Sequence, residues 1–468
     1  MKPASVIPCP RVIRGRTSAA LAAIAALLLV PAQPAAADWL QWRGPHGTGA
    51  VEQGSPPVAW SDTENVKWKL EVPGSGASTP IVIGDLVIVL SAIQTGREAE
   101  PPAVVAPGAE AVAEESPRRR RGGGGGGGGR RNDPTPTQFV QFCVIAVDRH
   151  SGEVQWQTVV REEVPHEGHH NDHGYASNSP VSNGEHIYAF FGSQGLYCLN
   201  LEGEVQWERD FGRMTTRGGF GEGSSPALHG DVLVVNWDHE GDDFIVAVDK
   251  NTGEDLWRRD RDEPTSWATP LIIEHNGTTQ AVVSATNRVC SYDLATGDVI
   301  WEIGGMTTNV IPSPVTDGER VYLLSGFRGA ALLAVDLGHT GDLTGTDAVA
   351  WSHDRSTPYV PSPLLSGDRL YFFAGNAGTL SCFDTDGQVL LDGERIAELL
   401  GGVYASPVAA DGRVYLIGRS GMVVVMQDGA PFEVLATNQL DDRFDASAAI
   451  VGDQLFLRGQ RYLYCIAE

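Results

Sequence analysis

Four imidazoles and a carboxylate, His166, His169, His170, Asp172 and His173, crowd one short stretch of this 468-residue chain. Together they have the chemistry of a zinc-type site. Glycine and asparagine interrupt the stretch, so helical His spacing does not apply, and no His-Glu-x-x-His motif occurs. Histidines in such polar loops are more commonly solvated or capping. Asp238, Glu240, Asp242 and Asp243 offer a second cluster, of oxygens that a hard cation would accept, but not at a diagnostic spacing. There is no Gly-x-Ser-x-Gly elbow, no phosphate-cradling loop before a helix and no acid/base pair at a defensible spacing. The sequence therefore offers groups that could bind, without a reaction.

The elements that position these groups come from a repeat. A polar anchor ending in Ser-Pro or a near variant recurs at Thr79-Pro80, Ser179-Pro180, Ser225-Pro226, Thr269-Pro270, Ser313-Pro314, Ser362-Pro363 and Ser406-Pro407, with a degenerate eighth at Ser447-Ala448. From Ser179 onward the intervals are 46, 44, 44, 49, 44 and 41 residues. Strand-rich repeats of this period signify a β-propeller, in which each blade needs neighbours to bury its faces. In the third unit the pattern predicts strands at Pro226 to Leu228, Val232 to Asn236 and Phe244 to Val248, then a turn from Asp249 to Gly253 and a fourth strand carrying Trp257. The Asp-x-x-x-Gly-x-x-x-Trp spacing returns at Asp148, Gly152, Trp156 and at Asp293, Gly297, Trp301, and more loosely around Trp207 and Trp351. Aromatics repeating at one register are expected to pack between blades. The last unit stops after its third strand, and Asn65 to Val72, with Trp68, supplies the missing one. The expected fold is an all-β, eight-bladed propeller of four-stranded antiparallel blades, closed by pairing its N- and C-terminal segments, which leaves no free edge.

Residues 1–37 read as a secretory signal peptide: Arg11, Arg14 and Arg16, an apolar stretch from Ala19 to Val30, then Ala35-Ala36-Ala37 before Asp38. Residues 38–468 form one propeller domain, and the mature chain is expected to be periplasmic or secreted. It should have no transmembrane segment and no lipid anchor, since Cys9 precedes the apolar stretch. Loss of the four leader cations takes the net charge from -25 to -29, which disfavours nucleic acid as a partner. Residues 94–137 break the strand rhythm with a Pro/Glu-rich and then Arg/Gly-rich sequence. They are expected to be a disordered insertion between the second and third strands of the first blade. Five cysteines remain after cleavage, none adjacent to another, and Cys198, Cys382 and Cys465 share a small-residue slot on third strands. Buried free thiols are the expectation.

The Ala-x-Asp-x-x-x-Gly-x-x-x-Trp units at Ala146 to Trp156 and Ala247 to Trp257 resemble the repeats of the pyrroloquinoline-quinone (PQQ) propeller superfamily, over nearly all of the mature chain. Trp39-Leu40-Gln41-Trp42-Arg43-Gly44-Pro45 and Gly221 to Pro226 further resemble secreted bacterial BamB-like members. The superfamily holds quinoprotein alcohol dehydrogenases as well as non-enzymatic assembly factors, so the fold does not choose an activity. In the enzymes the resemblance implies a quinone between a tryptophan and a disulfide of adjacent cysteines, with calcium held by carboxylates. Here Trp237 or Trp267 could be the floor, but no adjacent cysteine pair and no Cys-x-x-Cys-His haem motif is present.

If each anchor begins an inner strand, the loops before the anchors and those between second and third strands share one face. Arg217, Asp238, His239, Trp267, Asn287, Arg288, Asn309, Arg328, Tyr359, Asn376, Tyr404, Arg419 and Asp445 fall on these loops. Arginine and aromatic side chains are what binding surfaces use. The sequence thus predicts a monomeric, non-catalytic binding or scaffold propeller, with no cofactor and no catalytic residue. Its partner would be an envelope or extracellular protein, or a small molecule in the central funnel. A PQQ- and calcium-dependent alcohol or sugar dehydrogenase is the alternative, and a metal-dependent hydrolase using the His-rich loop the second.

Overall fold

The computed structural model describes residues 38–99, 136–396 and 401–468. The proposed signal peptide and most of the Arg/Gly-rich insertion lie outside the described residues. Among the described residues there are eight antiparallel sheets, each one blade. Their inner strands are Ile81–Ile83, Val181–Ser182, Ala227–His229, Leu271–His275, Val315–Thr316, Leu364–Ser366, Val408–Ala410 and Ala449–Val451. The third blade continues outward through Val232–Trp237, Phe244–Asp249 and Asp255–Asp260, within a residue or two of the positions that the hydrophobic pattern predicts. In the eighth, Val66–Glu71 pairs antiparallel with Tyr462–Ile466, so both ends of the described chain share one sheet. Blades four and seven each gain a short parallel strand, Gly341–Asp342 and Ala50–Val51.

The repeat motif has a mechanical meaning between blades. Trp68, Trp156, Trp207, Trp257 and Trp351 each donate an indole N–H to a turn carbonyl of the next blade, at 2.8 to 3.0 Å. A Cβ on the facing turn glycine, such as Gly253 against Trp207 or Gly297 against Trp257, would stand 2.6 to 2.7 Å from the indole. Glycine is therefore required there twice over, since both also adopt positive φ. Trp301 departs from this pattern: its indole N–H donates to Gln280 of its own blade, and the extra strand Gly341–Asp342 lies beside it.

A second set of contacts ties the blades at the hub. The backbone N–H of seven of the eight anchor residues donates to the hydroxyl of the next blade's anchor: Thr79 to Ser179, Ser179 to Ser225, Ser225 to Thr269, Thr269 to Ser313, Ser313 to Ser362, Ser362 to Ser406 and Ser406 to Ser447, at 2.8 to 3.1 Å. The Ser/Thr at this position is thus an inter-blade acceptor for an N–H at a strand start, where the ladder offers it no carbonyl.

Two expectations are refined. The strand rhythm does not stop at Gln94: the second strand of blade one runs Leu86–Glu98 and the third resumes at Gln138, with an irregular register between Gln94 and Glu98. The longer hairpin is stabilised by Arg97 stacking 4.2 Å from the Phe139 ring and pairing with Glu162. Cys143, Cys198, Cys290, Cys382 and Cys465 are buried free thiols. Burial pushes Cys198, Cys382 and Cys465 up to about 12, leaving them protonated and unreactive at neutral pH.

Candidate functional site

The anchors begin at one end of the central channel, and there a cavity of about 400 Å³ opens. Anchor residues Thr79, Ser179, Ser225, Thr269, Ser406 and Ser447 line it together with Phe220, Trp267, Phe327, Tyr359 and Tyr404. Trp42 lines this cavity and also a cleft of about 350 Å³ beside the bases of the inner strands, so its indole forms the floor between them.

That floor belongs to a segment running across the far end of the channel. Trp39 bridges Val82 of blade one, the Leu40 carbonyl accepts the N–H of Ser182 in blade two, the Thr48 carbonyl accepts that of Leu365 in blade six, and Ala50–Val51 joins blade seven. Arg43 is buried at 3% exposure and donates to the carbonyls of Thr48, Pro363 and Pro407 at 3.1, 2.7 and 2.8 Å. It forms no ion pair among the described residues, and burial pulls its guanidinium down to about 9. Gly49, at φ 86°, makes room for it: a Cβ there would lie 2.1 Å from Arg43 Nη2.

At the open end, the loop preceding the second anchor reaches over to blades seven and eight. Asp172 Oδ1 accepts from Arg419 and Arg443, each at 2.7 Å, and Asp445 accepts from the same two arginines at 2.6 and 3.0 Å. The Arg419 guanidinium lies 3.6 Å from the Tyr404 ring, and the Tyr404 hydroxyl donates to Asp172 at 3.2 Å. Burial raises Asp445 above the ordinary carboxylate range, while Arg419 pulls it back. Deeper in, His173 Nδ1 accepts the Gly174 N–H at 2.8 Å, which places the ring hydrogen on Nε2, at the cavity wall. Burial and His169 pull His173 down to about 4, so it is neutral at physiological pH.

Of the residues that the sequence singles out, Trp267, Tyr359, Tyr404 and Asp445 line the cavity, as do His170, Asp172 and His173 of the His-rich loop. Arg419 stands just behind Tyr404. Asn376 accepts the Val360 N–H, and Arg328 is exposed beside Phe327, whose ring stacks on Tyr359 at 4.7 Å. Asn309 is buried at 3% exposure next to Tyr359. The other members serve blades three and four. Asp238 makes a fully buried pair with Arg261 at 2.6 Å and also accepts from Ser266. His239 accepts the Thr215 N–H, the Arg217 N–H goes to Thr265, and the N–H groups of Asn287 and Arg288 go to Glu263, which burial pushes up to about 7.

The imidazoles of the His-rich loop turn to separate partners: His166 to the Met214 carbonyl and His169 to the His170 carbonyl, with the His170 ring 3.8 Å from Asp172. Among the described residues no three His, Cys, Asp or Glu side chains form a group able to hold a metal ion. Sequence reasoning missed Trp42, Arg43 and Arg443, and read the anchor hydroxyls only as strand markers. The opening Trp-x-x-Trp-Arg-Gly-Pro was the signal for the first two.

A family model described as outer membrane protein assembly factor BamB matches residues 241–467, just under half of the chain. Among solved structures, a europium-containing methanol dehydrogenase aligns at a TM-score of 0.57 and 10% identity, over 90% of this chain and 89% of its own. The quinohemoprotein alcohol dehydrogenase from Comamonas testosteroni aligns at 0.59 and 10% identity, over 92% and 80%. BamB from Moraxella catarrhalis aligns at 0.48 and 13% identity, over 69% and 93%. No curated protein matches the sequence. The repeat and the solved structures agree on an eight-bladed propeller fold, and the family match falls on its second half.

The residues at hand do not fit the quinone and calcium that the enzymes of this fold imply. Trp237 is 2% exposed and packed against Phe190, Phe211 and Phe244 inside the sheets. Asp238 is committed to Arg261, Glu240 accepts from Thr265, and Asp243 accepts the Glu263 N–H. Trp267 does reach the cavity, its indole N–H held by the Gly221 carbonyl, but among the described residues no group of three carboxylates able to hold a metal ion stands beside it.

Proposed function

We propose that this chain is a non-catalytic binding propeller that presents its open end to a partner in the cell envelope, a role akin to the one named in the description of the matched family. The carrying observation is the one-ended cup: aromatic walls, a closed floor at Trp42, and carboxylates at the mouth already paired with Arg419 and Arg443. Such a site supplies contact area and hydrogen bonds, and its carboxylates at the mouth are taken up by arginines. Among the described residues no helix is long and apolar enough to cross a membrane. In this reading the leader is cleaved near Ala37, the mature chain works outside the cytoplasm as a monomer, and no cofactor is needed.

A photo-crosslinking residue at Tyr359 tests this in cells, with Leu256 on an outer strand as the control. The expected result is an adduct from Tyr359 that the control does not give. A parallel titration of the purified protein with PQQ and calcium should give no saturable heat. Stoichiometric quinone uptake with dye reduction by an alcohol or sugar would overturn the reading in favour of the dehydrogenase.

A further inference from the structure

The hydroxyl belt leaves something over. Each of the hydroxyls of Ser179, Ser225, Thr269, Ser406 and Ser447 accepts one backbone N–H, and among the described residues none of them donates its own hydrogen. All five line the cup, and the four serines are at most 6% exposed. A hydroxyl whose lone pair faces an N–H has to turn its hydrogen elsewhere, here to the cup. His173 adds a further donor at the cavity wall, since its Nδ1 is occupied and its Nε2–H has no partner among the described residues.

The charges point the same way. Asp172 and Asp445 are matched by Arg419 and Arg443, two against two. Arg43, bound to the carbonyls of the prolines directly after Ser362 and Ser406, forms no ion pair among the described residues. The rim therefore adds no net negative charge to the cup, although the chain as a whole stands at -25, and Arg43 lies on the far side of Trp42. Donors aimed into the cup can pass to the acceptor atoms of a ligand, and they bond most strongly to a charged acceptor. The stacked Phe327–Tyr359 pair and Trp267 form flat apolar walls above.

We propose that the cup takes a carboxylate attached to a flat apolar body, with the carboxylate directly on the hydroxyl belt and no bridging metal ion. This rests on the binding reading above and adds the ligand class. The acid can be a free small molecule or the C-terminal residue of a peptide, since both present the same chemistry.

The test is calorimetry on the mature protein in EDTA with 2-naphthoate, its neutral counterpart 2-naphthalenemethanol, and Gly-Gly-Phe as free acid and as amide. Naphthoate should bind one to one, at least ten-fold tighter than the alcohol. Thr269→Val, which keeps the shape but removes one donor, should weaken it several-fold; it also orphans the Ser225 N–H, so its melting temperature should fall and the affinity is read well below it. Should that variant unfold, the acid-to-alcohol ratio on the unaltered protein still decides. Preference for the free-acid peptide over its amide makes a chain terminus the source; naphthoate alone makes it a small acid. Equal affinity for acid and alcohol, or no naphthoate binding at millimolar concentration, overturns the proposal. In that event a Tyr359 adduct would leave the binding reading standing, whereas failure of both would remove it.

Discussion

The two ends of the central channel are built from the same eight repeats yet solve opposite problems. At the far end a segment from Trp39 to Val51 crosses the bore, ties blades one, two, six and seven, and buries Arg43 on backbone carbonyls. At the near end the anchor hydroxyls and aromatic loops leave about 400 Å³ open, and four charges at the rim are satisfied without filling it. A ring has equal access from both sides until something breaks that symmetry. Here thirteen residues outside the repeat, Trp39 to Val51, turn a pore into a cup, and function can concentrate at one mouth.

The largest effect is expected from breaking the closed end. Gly49→Ala forces a left-handed backbone position on a residue with a Cβ and drives that Cβ into Arg43. Strain and displaced hydrogen bonds together should cost about 3 kcal/mol in urea unfolding. Gly230→Ala, also at positive φ but with nothing within 4 Å, should cost about 1 kcal/mol. Equal losses would mean that Arg43 is not what fixes the plug.

Beside the open end, Glu222 sharpens the comparison through pH. Burial pushes its carboxyl up to about 7, against hydrogen bonds from Ser193 that pull it down. Below about pH 4.5 folded and unfolded chains both hold this proton; between 4.5 and 7 the folded chain keeps it while the unfolded chain releases it. Its contribution is therefore complete at low pH and lost as pH rises through 7, by roughly 2–3 kcal/mol. Glu222→Gln should flatten that part of the stability profile, measured by urea unfolding at pH 4.5, 6 and 7.5. An unchanged slope would assign it to other groups.

The fold was legible because the repeat writes the same instructions many times: an Asp turn, a glycine under an indole, a hydroxyl before proline. Even the shared eighth blade followed from a missing strand at Cys465 and a spare one at Trp68. The site was legible only in part, for a physical reason. A loop sequence shows side-chain type but not direction, so Asp238 and His239 looked like Asp445 and Tyr404, yet the former turn into blade three while the latter face the cup. Arg43 was hidden differently: its three partners are backbone carbonyls, two of them more than 300 residues away, and carbonyls carry no sequence signal.

The smallest stability effect should come from the rim itself. Asp172 holds Arg419 and Arg443 from the opposite side of the mouth, but these side chains are 15 to 35% exposed, where ion pairs contribute little after screening. Asp172→Asn should therefore change unfolding stability by less than about 1 kcal/mol. Its visible consequence is local: amide exchange across residues 166–174 should rise several-fold, because only this carboxylate ties the loop to blades seven and eight through charge. Half-molar salt should raise exchange in the unaltered protein toward the same level, and leave the plugged end, whose Arg43 contacts are buried and uncharged on the acceptor side, as slow as before. If salt loosened both ends alike, the contrast between a fixed floor and a mouth latched by charge would fail.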